Sequence, residues 1–580
     1  MMKLWRQNPC HPHHDAACNG GPVRLEGANK QALEIGRNRL VFCAGLFTIA
    51  FAVIAFRLVD VTVFSQPKEP SPEHAERATR LPLERADIVD RNGVLLATSL
   101  ETASLYADPK EIRNAADTAR QLVRVLPELK VKEIEEKLTR EQRFVWIQRS
   151  LSPRQEYEVN RLGLPGLYFQ REDRRVYPHG VLTAHVVGFT NVDNHGMAGI
   201  ERHFDETLSK GGSPLVLSLD LRIQHVLREE LAQGMAEYQA AAAGGAVLDA
   251  RTGEVLAMVS LPDFDANKAG EAGDDERFNR MTLGVYEMGS IFKVFTAAMA
   301  LETGTSKLTS SYDASHPIQI ARFTINDYHN MRRALTVPEI FMYSSNIGAA
   351  RMALDFGGTV QHEFLDRLGL LSQSKLEIDE LGEPAFPAQW RPINTMTIAF
   401  GHGVSVEPIQ VAAASAAVVN GGILHDPTLL KRRAGEDASG VRVISEGTSD
   451  EMRRLMRLVV TDGTAKEGSI PGYLLGGKTG TAEKASLHGY AKKALLSSFV
   501  GAFPMTNPKY VVLAFYDEPH ATKQTHGYAT GGWTAVPVVN RVVQRIAPLL
   551  GVMPIDEKDP AIERALWVQI NPQERKLALN

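Results

Sequence analysis

Ser290 and Lys293 open a helix-like run, Ile291-Phe-Lys-Val-Phe-Thr-Ala-Ala-Met-Ala-Leu-Glu-Thr303, which Gly304 stops. A serine and a lysine three residues apart share one helix face, one turn from each other. The helix start adds free N–H groups and a partial positive charge. These are the parts of a serine nucleophile whose neighbouring amine takes its proton. Ser-x-x-Lys alone is a weak signal, because Ser65…Lys68 and Ser372…Lys375 match it too. The first encloses Pro67, and the second lies in the polar stretch Leu371–Leu376.

Two downstream motifs single out Ser290. Ser344-Ser345-Asn346 is the only Ser-x-Asn in the chain, and Lys478-Thr479-Gly480 is the only Lys-Thr-Gly. Each has a structural reading as well: Ser344 as a helix cap before Ile347, and Lys478–Gly480 as a strand end with a turn. The ordered triplet favours chemistry. Ser290 Oγ attacks a carbonyl, and Lys293 takes its proton. That step needs a neutral lysine, which burial and a nearby Lys478 charge would supply. Ser344 relays a proton toward the leaving amine, while Asn346 holds Lys293 and a substrate amide. Lys478, Thr479, Gly480 and Thr481 bind substrate. If they form a sheet edge, an extended peptide can add beside them. The N–H groups of Ser290 and Thr481 then make an oxyanion hole. His402, between Gly401 and Gly403, is read as structural or substrate-lining because a lysine base is already present.

The chain must place these residues, and its 580 residues call for two or three domains. Hydrophobic content of 44% and charged content of 23% are globular, and a net charge of −4 gives no argument for nucleic acid. The three cysteines, Cys10, Cys18 and Cys43, all come early, so nothing beyond them offers a disulfide or a cysteine metal site. Residues 1–39 read as a polar, disordered tail, in which Cys10-His11-Pro12-His13-His14…Cys18 lacks a second ligand pair for a metal. No metal and no cofactor is expected.

Leu40 to Phe56 is uncharged, between Arg39 and Arg57, and residues 40–60 are read as a transmembrane anchor rather than a cleaved signal peptide. Basic residues outnumber acids before it, which puts the N-terminus in the cytoplasm and the rest outside. A proline-rich linker covers 66–80, and Asn92-Gly93 between apolar runs predicts a hairpin. Residues 110–165 read as charged amphipathic helices, and 61–212 as a positioning, partner-contacting domain. From about residue 213, strands at Pro214–Leu219, Gly245–Ala250 and Glu254–Ser260 precede an α-rich middle. Strands return at 477–482, 498–503 and 510–515, and a helix closes over Val536–Ile546. This order predicts an α+β domain over 213–550, one antiparallel sheet with an inserted helical subdomain. Residues 551–580 read as a C-terminal tail, of which Arg564 to Asn580 mixes charged and apolar residues without a clear membrane face.

Ser-x-x-Lys, Ser-x-Asn and Lys-Thr-Gly in this order are the motifs of penicillin-binding proteins and class A β-lactamases. The chain resembles a class B penicillin-binding protein, a peptidoglycan D,D-transpeptidase, over roughly 40–550. Further matching stretches are Arg85–Gly93, Tyr106–Lys110, Arg174–Gly180, Gly199–Glu201, Leu335–Glu339 and Gly401–Gln410. Gly188-Phe-Thr-Asn-Val-Asp193 is most similar to the cell-division, septal member. Two positions depart from the family: Met288 where proline often precedes Gly-Ser, and Glu407-Pro408 where Thr-Pro is frequent.

The resemblance implies a serine β-lactamase-like transpeptidase domain behind an elongated pedestal and one membrane anchor in the inner membrane. It implies that Ser290 cleaves the D-Ala–D-Ala bond of a stem pentapeptide, and that an amine of a neighbouring stem resolves the acyl-enzyme. β-Lactam antibiotics would acylate the same serine. A membrane-embedded lipid II polymerase and other division proteins are the implied partners. An elongation-type transpeptidase is the near alternative, and a division scaffold or β-lactam sensor the distant one. A class A β-lactamase is disfavoured, since no acid between Ser344 and Lys478 has asparagine four residues on. The anchor and pedestal argue the same way, and a D,D-carboxypeptidase usually ends in an amphipathic anchor.

Overall fold

The computed structural model describes residues 28–59, 84–320, 323–433, 435, 438–486 and 489–570. The chain forms two units, Met1–Pro82 and Leu83–Asn580. The metal-like Cys10…Cys18 cluster, the 66–80 linker and Ser65…Lys68 lie outside the described residues.

In the first unit, helix α1 spans Ala28–Val59. It starts twelve residues before the expected anchor, so 28–39 are helical where a disordered tail was expected. Ala28-Asn-Lys-Gln-Ala-Leu-Glu-Ile35 consists mostly of good helix formers, which the overall polarity of the tail masked. Arg39–Arg57 is long and apolar enough to cross a membrane.

The second unit begins with a five-stranded sheet. Strands β1 (Ile88–Val89) and β2 (Leu95–Ala107) flank the expected Asn92-Gly93 turn, which Asp90 Oδ1 closes by accepting from the N–H groups of Asn92 and Val94. Helices α2 (Ala115–Val125) and α3 (Val131–Leu138) follow. Strand β3 (Val145–Leu151) comes next, then α4 (Pro153–Arg161) and strand β4 (Leu167–Val176). β3 corrects the all-helical reading of 110–165: Val145-Trp-Ile147 is a β-branched and aromatic run between charged helices. Helices α5 (Gly180–Val187) and α6 (Gly199–His203) lead to β5 (Leu215–Val216), which pairs parallel with β1. The strand expected over Pro214–Leu219 is thus shorter, prolonged by one bridge between Leu217 and Leu430.

Helix α7 (Leu221–Glu237) precedes strands β6 (Ala242–Asp249) and β7 (Val255–Leu261). The inserted helices include α8 (Lys293–Glu302), α9 (Val337–Tyr343), α10 (Asn346–Arg367), α11 (Pro408–Val419) and α12 (Glu446–Thr461). Strands β8 (Gly476–Ser486), β9 (Gly489–Phe503) and β10 (Tyr510–Asp517) complete a sheet ordered β8-β9-β10-β6-β7, antiparallel throughout. Helices α13 (Ala535–Leu549) and α14 (Pro560–Leu566) follow.

Val511–Tyr516 of β10 are wholly buried, because both faces of the sheet are covered. A Cβ at Gly245 would point at Leu227 and Leu231 of α7, and one at its neighbour Gly244 at Met281 on the opposite side. Apart from Lys293 and Thr296, α8 is apolar and buried through Leu301, the pattern of a core helix. Glu407 precedes α11 and is fully buried, so its carboxyl is pushed up to about 7 by burial. Pro408 takes the first helical position, where its missing N–H costs nothing.

Candidate active site

Ser290 sits in a 3-10 turn, Gly289–Phe292, that runs directly into α8. Gly289 has a φ of +53°, and a Cβ there would lie 2.8 Å from Thr481 O. Only glycine lets the serine turn close on β8. Gly480 serves the same approach from the strand side, since its Cβ would lie 2.6 Å from Met288 O.

Lys293, one turn after the serine, is 2% exposed. Its Nζ lies 2.8 Å from Ser290 Oγ, 2.7 Å from Ser344 O, 3.1 Å from Ser344 Oγ and 2.7 Å from Asn346 Oδ1. Lys478 Nζ reaches the same Ser344 Oγ at 3.0 Å and donates to Thr479 O at 3.2 Å. The Phe341 ring faces this ammonium at 5.9 Å. Five residues separated by up to 188 positions are thus joined in one hydrogen-bonded network through Lys293 Nζ and Ser344 Oγ.

The electrostatics follow from burial. Ala297, Val337, Ile340, Phe341 and Met352 wall the space behind Lys293. That burial, then the charge of Lys478, holds Lys293 well below the ordinary lysine range, while Asp327 pulls partly the other way. Burial alone pushes Lys478 down to about 7. His402 is held down to about 4, by burial first and Lys293 second, so it stays neutral beside the site.

Ser344 is the left-handed cap that ends α9, with φ 59° and ψ 41°. The helix-cap role read as the alternative for Ser344 belongs to Ser345, whose Oγ accepts from Gly348 N–H at 3.0 Å. Ser345 Oγ in turn donates to Asp327 Oδ2 at 2.6 Å, and Asp327 Oδ1 accepts from the N–H groups of Asn346 at 2.5 Å and Ile347 at 2.9 Å. Asp327 was missed by the sequence reading. It stands in the polar loop Asn326-Asp-Tyr-His329, and its only signal was a carboxylate able to satisfy the free N–H groups of the helix behind the motif.

β8 is an edge strand of the sheet. Lys478, Gly480 and Thr481 pair with Val500, Ser498 and Ser497 of β9. The Thr479 hydroxyl lies 2.7 Å from Thr464 Oγ1, and Thr481 Oγ1 accepts from Gly531 N–H at 3.2 Å. Both hydroxyls therefore already have protein partners. Ser372 and Lys375 stay apart from this cluster, Lys375 pairing with Asp426 at 3.0 Å. Among the described residues, no group of three or more His, Cys, Asp or Glu is arranged to hold a metal.

Comparison with known proteins matches this architecture. The penicillin binding protein transpeptidase domain model covers residues 243–544, and the penicillin-binding protein dimerisation domain model covers 80–213. A probable peptidoglycan D,D-transpeptidase FtsI of Caulobacter vibrioides is 40% identical over 81% of this chain and 82% of its own. A probable peptidoglycan D,D-transpeptidase PenA of Neisseria meningitidis is 33% identical over 89% and 93%. Penicillin binding protein 3 of Mycobacterium tuberculosis, solved with aztreonam, shares the fold at a TM-score of 0.66 and 24% identity, over 84% of this chain and 99% of that one. With both domain models matched and relatives aligned across most of its length, the chain belongs to the class B penicillin-binding proteins, the peptidoglycan D,D-transpeptidases.

Proposed function

We propose that this enzyme cross-links peptidoglycan at the division septum by serine acyl transfer, with Ser290 as nucleophile and Lys293 as its base. The observation that carries the reading is the set of contacts around Lys293 Nζ. Two of its neighbours, Ser344 O and Asn346 Oδ1, are carbonyl oxygens that only accept. A neutral amine gives them its two N–H bonds and keeps its lone pair for the Ser290 hydroxyl at 2.8 Å. Ser344 Oγ bridges the two lysines and hands the proton on to the departing D-Ala amine. Lys478, pushed to about 7 by burial, gains charge when a substrate carboxylate arrives.

Thr481 O faces Gly289. N–H and C=O of one strand residue point to the same side, so Thr481 N–H faces the serine. Together with Ser290 N–H at the helix start it makes the oxyanion hole, each donor contributing on the order of 3 kcal/mol to the barrier. The stem peptide lies along Lys478–Thr481, its D-Ala–D-Ala bond over Ser290. An amine of a second stem then takes the acyl group and Ser290 regains its proton. β-Lactams acylate the same hydroxyl: the ring C–N bond breaks as the ester forms, and the leaving amine stays tethered to the acyl group, so the ester persists.

In this reading residues 40–60 anchor the protein in the inner membrane with the N-terminus cytoplasmic. Residues 61–212 form the pedestal, 213–550 the periplasmic catalytic domain and 551–580 a tail. A lipid II polymerase of the division machinery supplies the glycan strands. Fluorescent penicillin is expected to label the wild type and not Ser290→Ala. Covalent label persisting on the variant would remove Ser290 as nucleophile. Depletion in cells is expected to give filaments, whereas rounding would assign the enzyme to elongation.

A further inference from the structure

The transpeptidase domain model ends at residue 544, yet the chain beyond does not trail away. It returns to the rear of the active site and fastens there twice. At the first fastening, Ile555 N–H donates to Gly472 O at 2.9 Å and Glu557 Oε1 accepts from Gly472 N–H at 2.9 Å. Glu557 Oε2 pairs with Arg457 Nη2 at 2.8 Å, and Arg457 Nη1 donates to Leu475 O at 2.7 Å. Arg457 is buried on α12, and Leu475 stands three residues before Lys478.

At the second fastening, Ala565 O of α14 accepts from Arg454 Nε at 3.1 Å. Val568, 8% exposed, then joins Met342 and Leu458 in a separate apolar cluster, with Tyr343 and Ile570 packed against it. Met342 and Tyr343 are the last two residues of α9, directly before Ser344.

Ser344 needs such support. A serine has no intrinsic preference for the left-handed conformation it adopts, so packing on both sides must enforce it. Asp327 and α10 grip the chain after Ser344, and the Met342–Leu458–Val568 cluster grips the chain before it. We propose that residues 552–570 are a strap that positions the acyl-transfer machinery, holding β8 through Glu557 and Arg457 and the Ser344 turn through Val568. The inference rests on the reading of Ser290 as nucleophile. Neither Glu557 nor Val568 touches the reacting groups; they act through Leu475 and Met342–Tyr343.

The test uses the full-length, detergent-solubilised protein, with the affinity constant Ks and the acylation rate constant k2 for a fluorescent penicillin measured well below its melting temperature. Glu557→Gln and Val568→Ala are each expected to lower k2 about tenfold with Ks unchanged, since small displacements of catalytic groups cost rate rather than binding. Val568→Ile, which keeps the packing, should retain wild-type k2. Melting temperatures of the point variants separate misfolding from misplacement. Normal k2 in folded Glu557→Gln and Val568→Ala, with only a lowered melting temperature, would reduce the strap to a structural brace and overturn the inference. A wild type that takes no label would instead overturn the reading of Ser290, and the strap's role with it.

Discussion

Two sets of buried charges lie in the second unit, and they are built on opposite rules. In the pedestal, Arg85 Nε and Arg175 Nε each meet an oxygen of Glu201 at 2.7 Å, and Arg85 Nη1 meets Asp205 at 2.7 Å. Spare guanidinium hydrogens go to main-chain oxygens: Glu201 O at 2.8 Å, Arg85 O at 3.1 Å and Ala86 O at 2.8 Å. Every charge there has a counter-charge, and the cluster ties together three distant segments. In the catalytic domain, Lys293 and Lys478 are equally buried but share a neutral hydroxyl. Asp327, the carboxylate that Lys293 feels, is committed to Ser345, Asn346 and Ile347. Burial with a partner makes a charge structural, whereas burial without one makes it reactive.

The contrast can be broken at its strongest point with Lys293→Met. Acylation by penicillin should fall by about a thousandfold, the scale of a lost general base. The melting temperature should hold or rise, because no buried counter-charge is left unpaired. A large loss of stability in this variant would place Lys293 with the structural charges. Glu201→Gln is expected to do the reverse. It leaves two buried guanidinia short of charge and should cost roughly 3 kcal/mol of stability in denaturant unfolding. The folded fraction should keep wild-type k2, and a selective loss of k2 would mean that the pedestal cluster serves chemistry.

Asp327→Asn probes the boundary between the two kinds. Its lost grip on the Ser-x-Asn turn should lower k2 by about tenfold. Its lost charge should also move the pH profile. Acylation needs neutral Lys293, so k2 is lost as pH falls through that lysine's own value. Asp327 raises this value, and removing its charge lowers it further. The acidic limb of k2 should therefore shift to lower pH, and an unmoved limb would leave Asp327 with geometry alone.

The groups of the proposed acyl-transfer site could be picked out together in the sequence because the chemistry proposed for them restricts residue type and motif order: a serine, two lysines and an amide cannot be exchanged freely. The antiparallel sheet was legible as well, through short apolar strands on either side of a helical stretch. What remained hidden had no local pattern. Asp327 is one acid in a polar loop, and its importance exists only where α10 begins. β3 lay between charged helices, and 28–39 combined a polar composition with helical propensity. The tail over 552–570 alternates charged and apolar residues without a period. Its few buried anchors, Val552 and Val568 among them, cannot be told from chance until the chain folds back.

Gly289 and Gly480 leave the serine turn and the strand edge no room for a side chain, so these two positions are closed to any larger residue. Change has to enter at other positions, among them the elements behind Ser344 and β8, where trimming one side chain is expected to slow acylation without touching the cleft.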